Sequence, residues 1–279
     1  MSKKAFQPDE IGYWSEIKLD IIRKYATAYS TIMAKQPSIK RHTYIDAFAG
    51  AGQHISKTTG DFVQGSPLNA LQVTPPFKEL HLIDLDGEKV GELRKLTAGD
   101  KRVMVHEGDC NEVLLRDVFP RCLYRDYHRA LCLLDPYKLN VKWDVLRTAG
   151  QMESIEVFYN FMIMDANMNM FRHDSSKVEP AQAARMNLAW GDDSWRSAAY
   201  QMAPSLFGDV EEKASNEAVA EAFRDRLKNV AGFKYVPDPI PMRNSKGATI
   251  YYLFFASQNK TGESIVRNIF DAYRNKGIS

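Results

Sequence analysis

A chain of 279 residues fits one large core, or one core with a small appendage, better than two equal halves, because single cores stop growing near ~250–300 residues. Its 44% hydrophobic and 26% charged residues are ordinary globular values that exclude a long disordered tail. With 37 Lys and Arg against 35 Asp and Glu, the net charge of +2 excludes a global field that would draw the chain onto nucleic acid or anionic lipid.

Along the chain, Trp14, Ile17, Ile21, Ile22, Tyr25, Ala28, Tyr29, Ile32 and Met33 recur at three- and four-residue steps. This period predicts a long amphipathic helix over 13–35, ended before Pro37. Residues 42–48 predict a buried strand that stops at Ala49-Gly50-Ala51-Gly52, a turn whose glycines tolerate unusual backbone geometry. Polar, Gly- and Thr-rich residues 53–65 predict a loop, after which Ser66 as N-cap and Pro67 at the first position open a short helix to about Val73. Alternating units follow: strand 79–85, helix 87–96, strand 102–107, helix 111–119, strand 130–134, helix 143–149 and strand 154–161. Such alternation implies a parallel sheet with right-handed crossovers.

Residues 163–208 lose strand character, and Met-rich and helical pieces with a Gly-Asp-Asp-Ser cap between Trp190 and Trp195 predict a helical insertion. A helix is expected over 212–230. Strands 233–242 and 248–257 flank the turn signal Asn244-Ser245-Lys246-Gly247, giving a terminal hairpin closed by a helix over 262–274. The expected organisation is an N-terminal helix packed on the core (1–40), a ligand-binding domain in two stretches (41–162 and 209–279), and the insertion (163–208). No internal repeat competes with it.

The strongest functional signal is Tyr44-Ile45-Asp46-Ala47-Phe48-Ala49-Gly50-Ala51-Gly52, because backbone at a strand end can approach a nucleoside ligand only where side chains are absent. Asp46, Phe48, Ala49, Gly50 and Gly52 are the expected cofactor-binding turn, with Asp46 placed to accept a bond from a ligand ammonium. A nicotinamide ligand would require a third small residue three positions after Gly52, where Ile55 stands. The second strand ends His81-Leu82-Ile83-Asp84-Leu85-Asp86, putting a carboxylate where ribose hydroxyls are paired donors. Asp84 is expected in that role with Leu85 beside it, and Asp86 is the alternate. The step from position 52 to position 84 exceeds the roughly 20 residues of a compact unit, so the segment between is an insertion that could lie over the ligand.

After the third strand, Asp109 offers a carboxylate to an adenine amino group and Cys110 a backbone N–H to a ring nitrogen; a plain surface turn is the other reading. The fourth strand delivers Asp135-Pro136-Tyr137 at the carboxyl edge of the sheet, where α/β ligands bind. These three are the expected catalytic residues. Asp135 would accept hydrogen bonds from a planar amine and free its nitrogen lone pair, while Tyr137 stacks on the ring. The usual form of this motif has two prolines before the aromatic; here there is one, and Lys138 follows.

Other features read more plainly. Met162, Met164, Met168 and Met170 suggest adaptable core packing. The six histidines show no metal-ligand spacing, so no metal is expected, and His173-Asp174 is the pair that could move a proton. Cys110, Cys122 and Cys132 lack CxxC spacing and read as buried free thiols in a reducing compartment. Arg121, Arg125, Arg129 and Lys138, interleaved with Tyr124, Tyr127 and His128, read either as a phosphate-holding, base-stacking patch near the active edge or as a solvated face. The first ten residues lack the apolar core of a secretory signal and no run approaches ~18 apolar residues, so a cytoplasmic location is expected.

Together these pieces resemble the three-Cys-motif partner protein family, described as class I S-adenosylmethionine-dependent methyltransferase-like. The residues that carry the resemblance are Trp14-Ser15-Glu16-Ile17-Lys18 with Tyr25 and Tyr29, the stretch from Tyr44 to Gly50, Gly65-Ser66-Pro67, and Asp135-Pro136-Tyr137 with Trp143. It spans residues 13–165, and Tyr251-Tyr252-Leu253-Phe254-Phe255-Ala256-Ser257 fits more loosely. The resemblance implies a Rossmann-like class I methyltransferase fold: an α/β protein with a seven-stranded, mostly parallel sheet whose last strand is antiparallel. It implies S-adenosylmethionine as cofactor, and as partner a three-Cys-motif protein of the radical S-adenosylmethionine type. The expected activity is methyl transfer to a nitrogen of a nucleobase in RNA, DNA or a modified nucleoside; the alternative is a non-catalytic S-adenosylmethionine-binding module of the three-cysteine protein. Lys138 stands where the family often has glycine.

Overall fold

The computed structural model describes residues 8–205, 208–244 and 246–275. A short strand β1 (Asp9–Ile11) leads into helix α1 (Tyr13–Ala34), which buries Ile17, Ile21, Ile22, Tyr25, Tyr29 and Met33 along one stripe. That stripe lies on the sheet, where the Tyr25 ring meets Phe158 edge-on at 5.3 Å and Phe255 at 4.7 Å between centroids. Then come β2 (Arg41–Asp46), β3 (Gln53–Ser56), β4 (Phe62–Gln64), α2 (Ser66–Leu71), β5 (Glu79–Asp84), α3 (Gly87–Leu96), β6 (Val103–Glu107) and α4 (Cys110–Val113). The second half holds β7 (His128–Leu134), α5 (Trp143–Met152), β8 (Ile155–Phe161), α6 (Ile163–Asn169), α7 (Pro180–Trp190) and α8 (Trp195–Ala199). It finishes with β9 (Tyr200–Ser205), β10 (Gly208–Lys213), α9 (Asn216–Asn229), β11 (Ile240–Arg243), β12 (Thr249–Ala256) and α10 (Lys260–Arg274).

Seven strands form the central sheet in the order β11-β12-β8-β7-β2-β5-β6. β2 pairs in parallel with β5 and β7, β5 with β6 and β7 with β8, whereas β12 is antiparallel to β8 and β11. This is a Rossmann-like α/β arrangement, a seven-stranded, mostly parallel sheet whose last strand is antiparallel, as expected. Because side chains alternate along a strand, β7 sends Ala130, Cys132 and Leu134 into one apolar layer and Leu131 and Leu133 into the other. α5, α7 and α9 contribute to the first layer, and α1, α3 and α10 to the second.

Three expectations need correction. Residues 53–65 are not a loop: β3 and β4 form a hairpin, turned at Gly60 with φ +77°, and β1 adds in parallel to β3. The stretch 163–208 is helical only through α8 and then enters the antiparallel pair β9–β10. Most of the described residues of that pair are exposed, so it has no apolar alternation for a sequence reading to find. It also delays the helix expected from 212, which starts at Asn216 where the Ser215 hydroxyl accepts from the Ala218 N–H at 3.1 Å.

Smaller shifts have local causes. Pro237 and Pro239 lack an N–H for the ladder, so the strand expected over 233–242 shrinks to β11 plus a bridge from Tyr235 to Ser257. Gly65 rather than Ser66 is the N-cap of α2. The helix expected over 111–119 tightens and widens irregularly after Val113, passing through a π turn at Leu114–Val118 before Pro120. Ser245 of the turn signal and residues 1–7 of the amino-terminal reading lie outside the described residues. No helix among the described residues is long and apolar enough to cross a membrane.

Candidate functional site

The sheet order reverses between β2 and β7, since the chain leaves β2 toward β5 and returns to β7 on the other side, and a crevice opens at the carboxyl ends of such strands. The turn after β2 is fastened to both neighbours. Ala47 N–H donates to the Leu133 carbonyl at 3.0 Å and Ala49 N–H to the Ile83 carbonyl at 2.9 Å. Gly50 then adopts φ +60°, a conformation that L side chains rarely take, and a Cβ placed there would meet nothing within 4 Å. Its N–H donates to Asp84 Oδ2 at 2.8 Å, while Asp84 Oδ1 accepts from the Asp86 N–H at 2.9 Å.

A cavity of about 220 Å³ sits over this turn. Phe48, Ala49, Gly50 and Asp84 line it from the first two strand tips, Asp135, Pro136 and Tyr137 from the tip of β7, and Asn160 and Met162 from the end of β8. α1 closes it with Ser15, Lys18 and Leu19, and the β3–β4 hairpin contributes His54. Phe48, Ala49 and Gly50 of the expected turn, Asp84 and Asp135-Pro136-Tyr137 are therefore together.

Other expected residues are not on its wall. Asp46 is fully buried: its carboxyl is hydrogen-bonded by Ser66 and, at Oδ1, by the Phe48 N–H at 3.3 Å, Asp135 and Lys18 act on it electrostatically, and its Oδ2 has no hydrogen-bond partner. Burial pushes its carboxyl up to about 7, against the opposing pull of Ser66. Gly52 is a packing turn: its φ is +83°, a Cβ would press on Leu93 at 3.1 Å, and its carbonyl accepts from the Gly65 N–H at 2.8 Å. Asp86 and Asp109 cap α3 and α4, each carboxylate accepting two backbone N–H bonds. Leu85 is exposed at its strand tip. Cys110 is buried, and burial together with Asp109 pushes its thiol up to about 12.

Two residues with no role assigned from the sequence, Lys18 and Asn160, dominate the site's electrostatics. The Lys18 ammonium is ion-paired with Asp135 Oδ2, and the Asn160 amide donates to Asp135 Oδ1. Burial opposes the Lys18 charge, but Asp135 outweighs it and holds Lys18 above the usual lysine value. Because its amide nitrogen is committed to Asp135, Asn160 turns Oδ1 elsewhere, and that atom has no partner. Tyr251 Oη and His54 Nδ1, on the same cavity, are also buried without partners. Tyr137 is 73% exposed at the lip, with Lys89 Nζ 5.9 Å from its ring centroid.

The basic cluster expected near this edge is elsewhere. Arg121, Arg125 and Arg129 precede or open β7, at the opposite edge of the sheet from Asp135, and only Lys138 stays near the cavity end. Of the four methionines, Met170 is fully buried and Met168 is 65% exposed, so they are not one core cluster. The three cysteines are free and buried, as expected.

No protein-family model matches the chain, and no curated protein does. Among solved structures, a Legionella pneumophila protein described as LPL1258, family model DUF519, has a TM-score of 0.57 at 13% identity, over 95% of this chain and 92% of its own. That likeness is one of fold. A putative S-adenosylmethionine-dependent methyltransferase from Listeria monocytogenes aligns with a TM-score of 0.42 at 12% identity, over 85% of this chain and 99% of its own. The N-terminal domain of EvdMO1 with SAH bound gives 0.44 at 14% identity, over 85% and 81%.

Proposed function

We propose that the chain is an S-adenosylmethionine-dependent methyltransferase acting on a nucleobase nitrogen, in RNA, DNA or a modified nucleoside. One observation carries the reading: Asn160 Oδ1, Tyr251 Oη and His54 Nδ1 converge on one cavity without partners, beside the equally unpartnered Asp46 Oδ2. Buried polar groups are normally satisfied, so a cluster of exceptions marks where a ligand supplies the missing bonds.

The cofactor fits the residues at that cavity. Gly50 leaves the backbone bare where a nucleoside would lie, and Asp84 retains lone pairs for ribose hydroxyls beyond its two backbone donors. Leu85, Asp109 and the Cys110 backbone N–H lie off the wall of the cavity, at and beyond the adjoining strand tips, and in this reading they serve the adenine end. A ligand ammonium near Asp46 would recharge its carboxyl and satisfy Oδ2. When bound, S-adenosylmethionine supplies a methyl group already activated by a sulfonium, so the protein's contribution is chiefly alignment.

On the acceptor side, Asp135 and the Asn160 carbonyl offer adjacent acceptors for the two N–H bonds of an exocyclic amine. Lys18 fixes the Asp135 rotamer, Pro136 stiffens the turn, and Tyr137 presents a ring at the lip for stacking. Tritium transfer from S-adenosylmethionine to total RNA, DNA or free nucleosides, run beside calorimetric titration of the product S-adenosylhomocysteine, tests this. Asp135→Ala is expected to abolish transfer and spare binding; binding by the wild type with no transfer to RNA, DNA or a mixture of free nucleosides refutes the enzyme.

A second reading has its own observation. Lys18 and Asn160 already occupy both Asp135 oxygens, which suits a site that binds the cofactor without methylating. In that case the chain, like the three-Cys-motif partner family it resembles, is a binding module for a three-cysteine protein of the radical S-adenosylmethionine type. Co-purification with such a protein, with donor binding and no transfer, would support it.

A further inference from the structure

A second cavity, of about 350 Å³, lies at the amino-terminal edge of the sheet. Its wall includes Arg129 at the start of β7, and Asp135 follows the end of the same strand six positions on, so the two cavities are roughly 20 Å apart. Nothing in the first site uses it.

Its polar groups are arranged for an occupant. Tyr29 is 3% exposed, lines the cavity, and its hydroxyl has no hydrogen-bond partner. Gln258 donates through Nε2 to the Gly150 and Gly232 carbonyls at 2.9 and 2.7 Å, which fixes the amide and leaves Oε1 as a second unpartnered atom. Arg129 lies 3.7 Å from the Tyr124 ring centroid and bonds only backbone carbonyls, with no carboxylate partner among the described residues. Lys260, the first residue of the 15-residue helix α10, has no acidic partner among them either. The helix start adds the positive end of its dipole to the same wall.

The acids facing this space do not cancel those cations. Glu153 is paired with Lys234 at 3.4 Å. Glu156 is buried with both oxygens occupied, by Tyr25 Oη at 2.5 Å and Ser257 Oγ at 2.9 Å, and burial pushes it up to about 7, so it carries less than a full charge at neutral pH.

We propose that this cavity is a second ligand site, taking a small organic anion: a phosphate or carboxylate group against Arg129, Lys260 and the start of α10, and an uncharged polar body against Tyr29 and Gln258. The reading is independent of methyl transfer. It is tested on the full chain by calorimetric titration with inorganic phosphate and with citrate at constant ionic strength. Saturable one-to-one binding of either below about 10 mM supports the site, and which anion binds tells phosphate from carboxylate. Saturation by neither overturns it.

Arg129→Gln with Lys260→Gln is expected to weaken binding about tenfold or more, since charge-assisted bonds to the anion are lost. Tyr29→Phe and Lys260→Gln, each alone, test the site should that double variant fold poorly; affinity unchanged in both overturns the proposal. S-adenosylhomocysteine titrated into the same variants is expected to bind as in wild type, so failure here is separable from failure of the cofactor reading.

Discussion

Replacing Lys18 by Met keeps the length of the side chain and removes the ammonium from a pair whose members expose only 9% and 25% of their side chains. Breaking a buried pair by removing one partner typically costs ~3–5 kcal/mol, because the survivor is left buried and uncompensated. Asp135 keeps the Asn160 amide and some contact with water, so Lys18→Met falls at the low end, about 3 kcal/mol. Asp135→Asn leaves the less exposed partner, Lys18, without its counter-charge and is expected to cost a similar amount. The double variant carries neither charge, and since neutral replacement of a buried pair is often close to harmless, it should be more stable than either single variant. Urea unfolding of the four proteins then gives a coupling of about 2 kcal/mol or more, with unchanged m-values. Single effects below about 1 kcal/mol that simply add would show the pair to behave as a solvated surface bridge, and the account of the site's electrostatics would fail.

Asp46, held near 7 in the folded chain against about 3.9 when unfolded, makes the folded state bind more protons between those values. Stability contributed at this position therefore falls as pH rises from about 4 to about 7 and levels off above; Asp46→Asn should gain on the wild type between pH 5 and pH 8 in urea midpoints, and parallel pH curves would contradict this. Gly50→Ala places a Cβ in the cavity at φ +60°, so it should cost about 1 kcal/mol of stability and far more in S-adenosylhomocysteine affinity; calorimetry showing wild-type affinity would place the ligand elsewhere. At Gly150, in α5, an added Cβ would lie 2.1 Å from the Ala231 carbonyl oxygen. Gly150→Ala is thus expected to destabilise by about 3 kcal/mol or more, and a loss below 1 kcal/mol would mean that the backbone at 231 yields freely.

What the sequence made legible follows from where water is. Strands β2, β5, β7 and β8 are buried on both faces, so their apolar runs and the glycine turn after β2 stand out, and the order of units alone leads to the sheet. The described residues of the β9–β10 pair are mostly exposed and leave no such trace, and the β1–β3–β4 sheet is built from strands of three or four residues. Lys18 did carry a signal that the reading missed. It falls four residues after Trp14 and four before Ile22, on the apolar stripe of α1, where a charge is tolerated only with a partner. Asn160 is the same case in β8, an amide inside a fully buried run. A polar residue set into an apolar period therefore deserved the weight given to the glycines. The second cavity could not be reached that way, because Tyr29, Arg129, Gln258 and Lys260 come from α1, β7 and the start of α10, and only the closed sheet brings their unpaired groups to one edge.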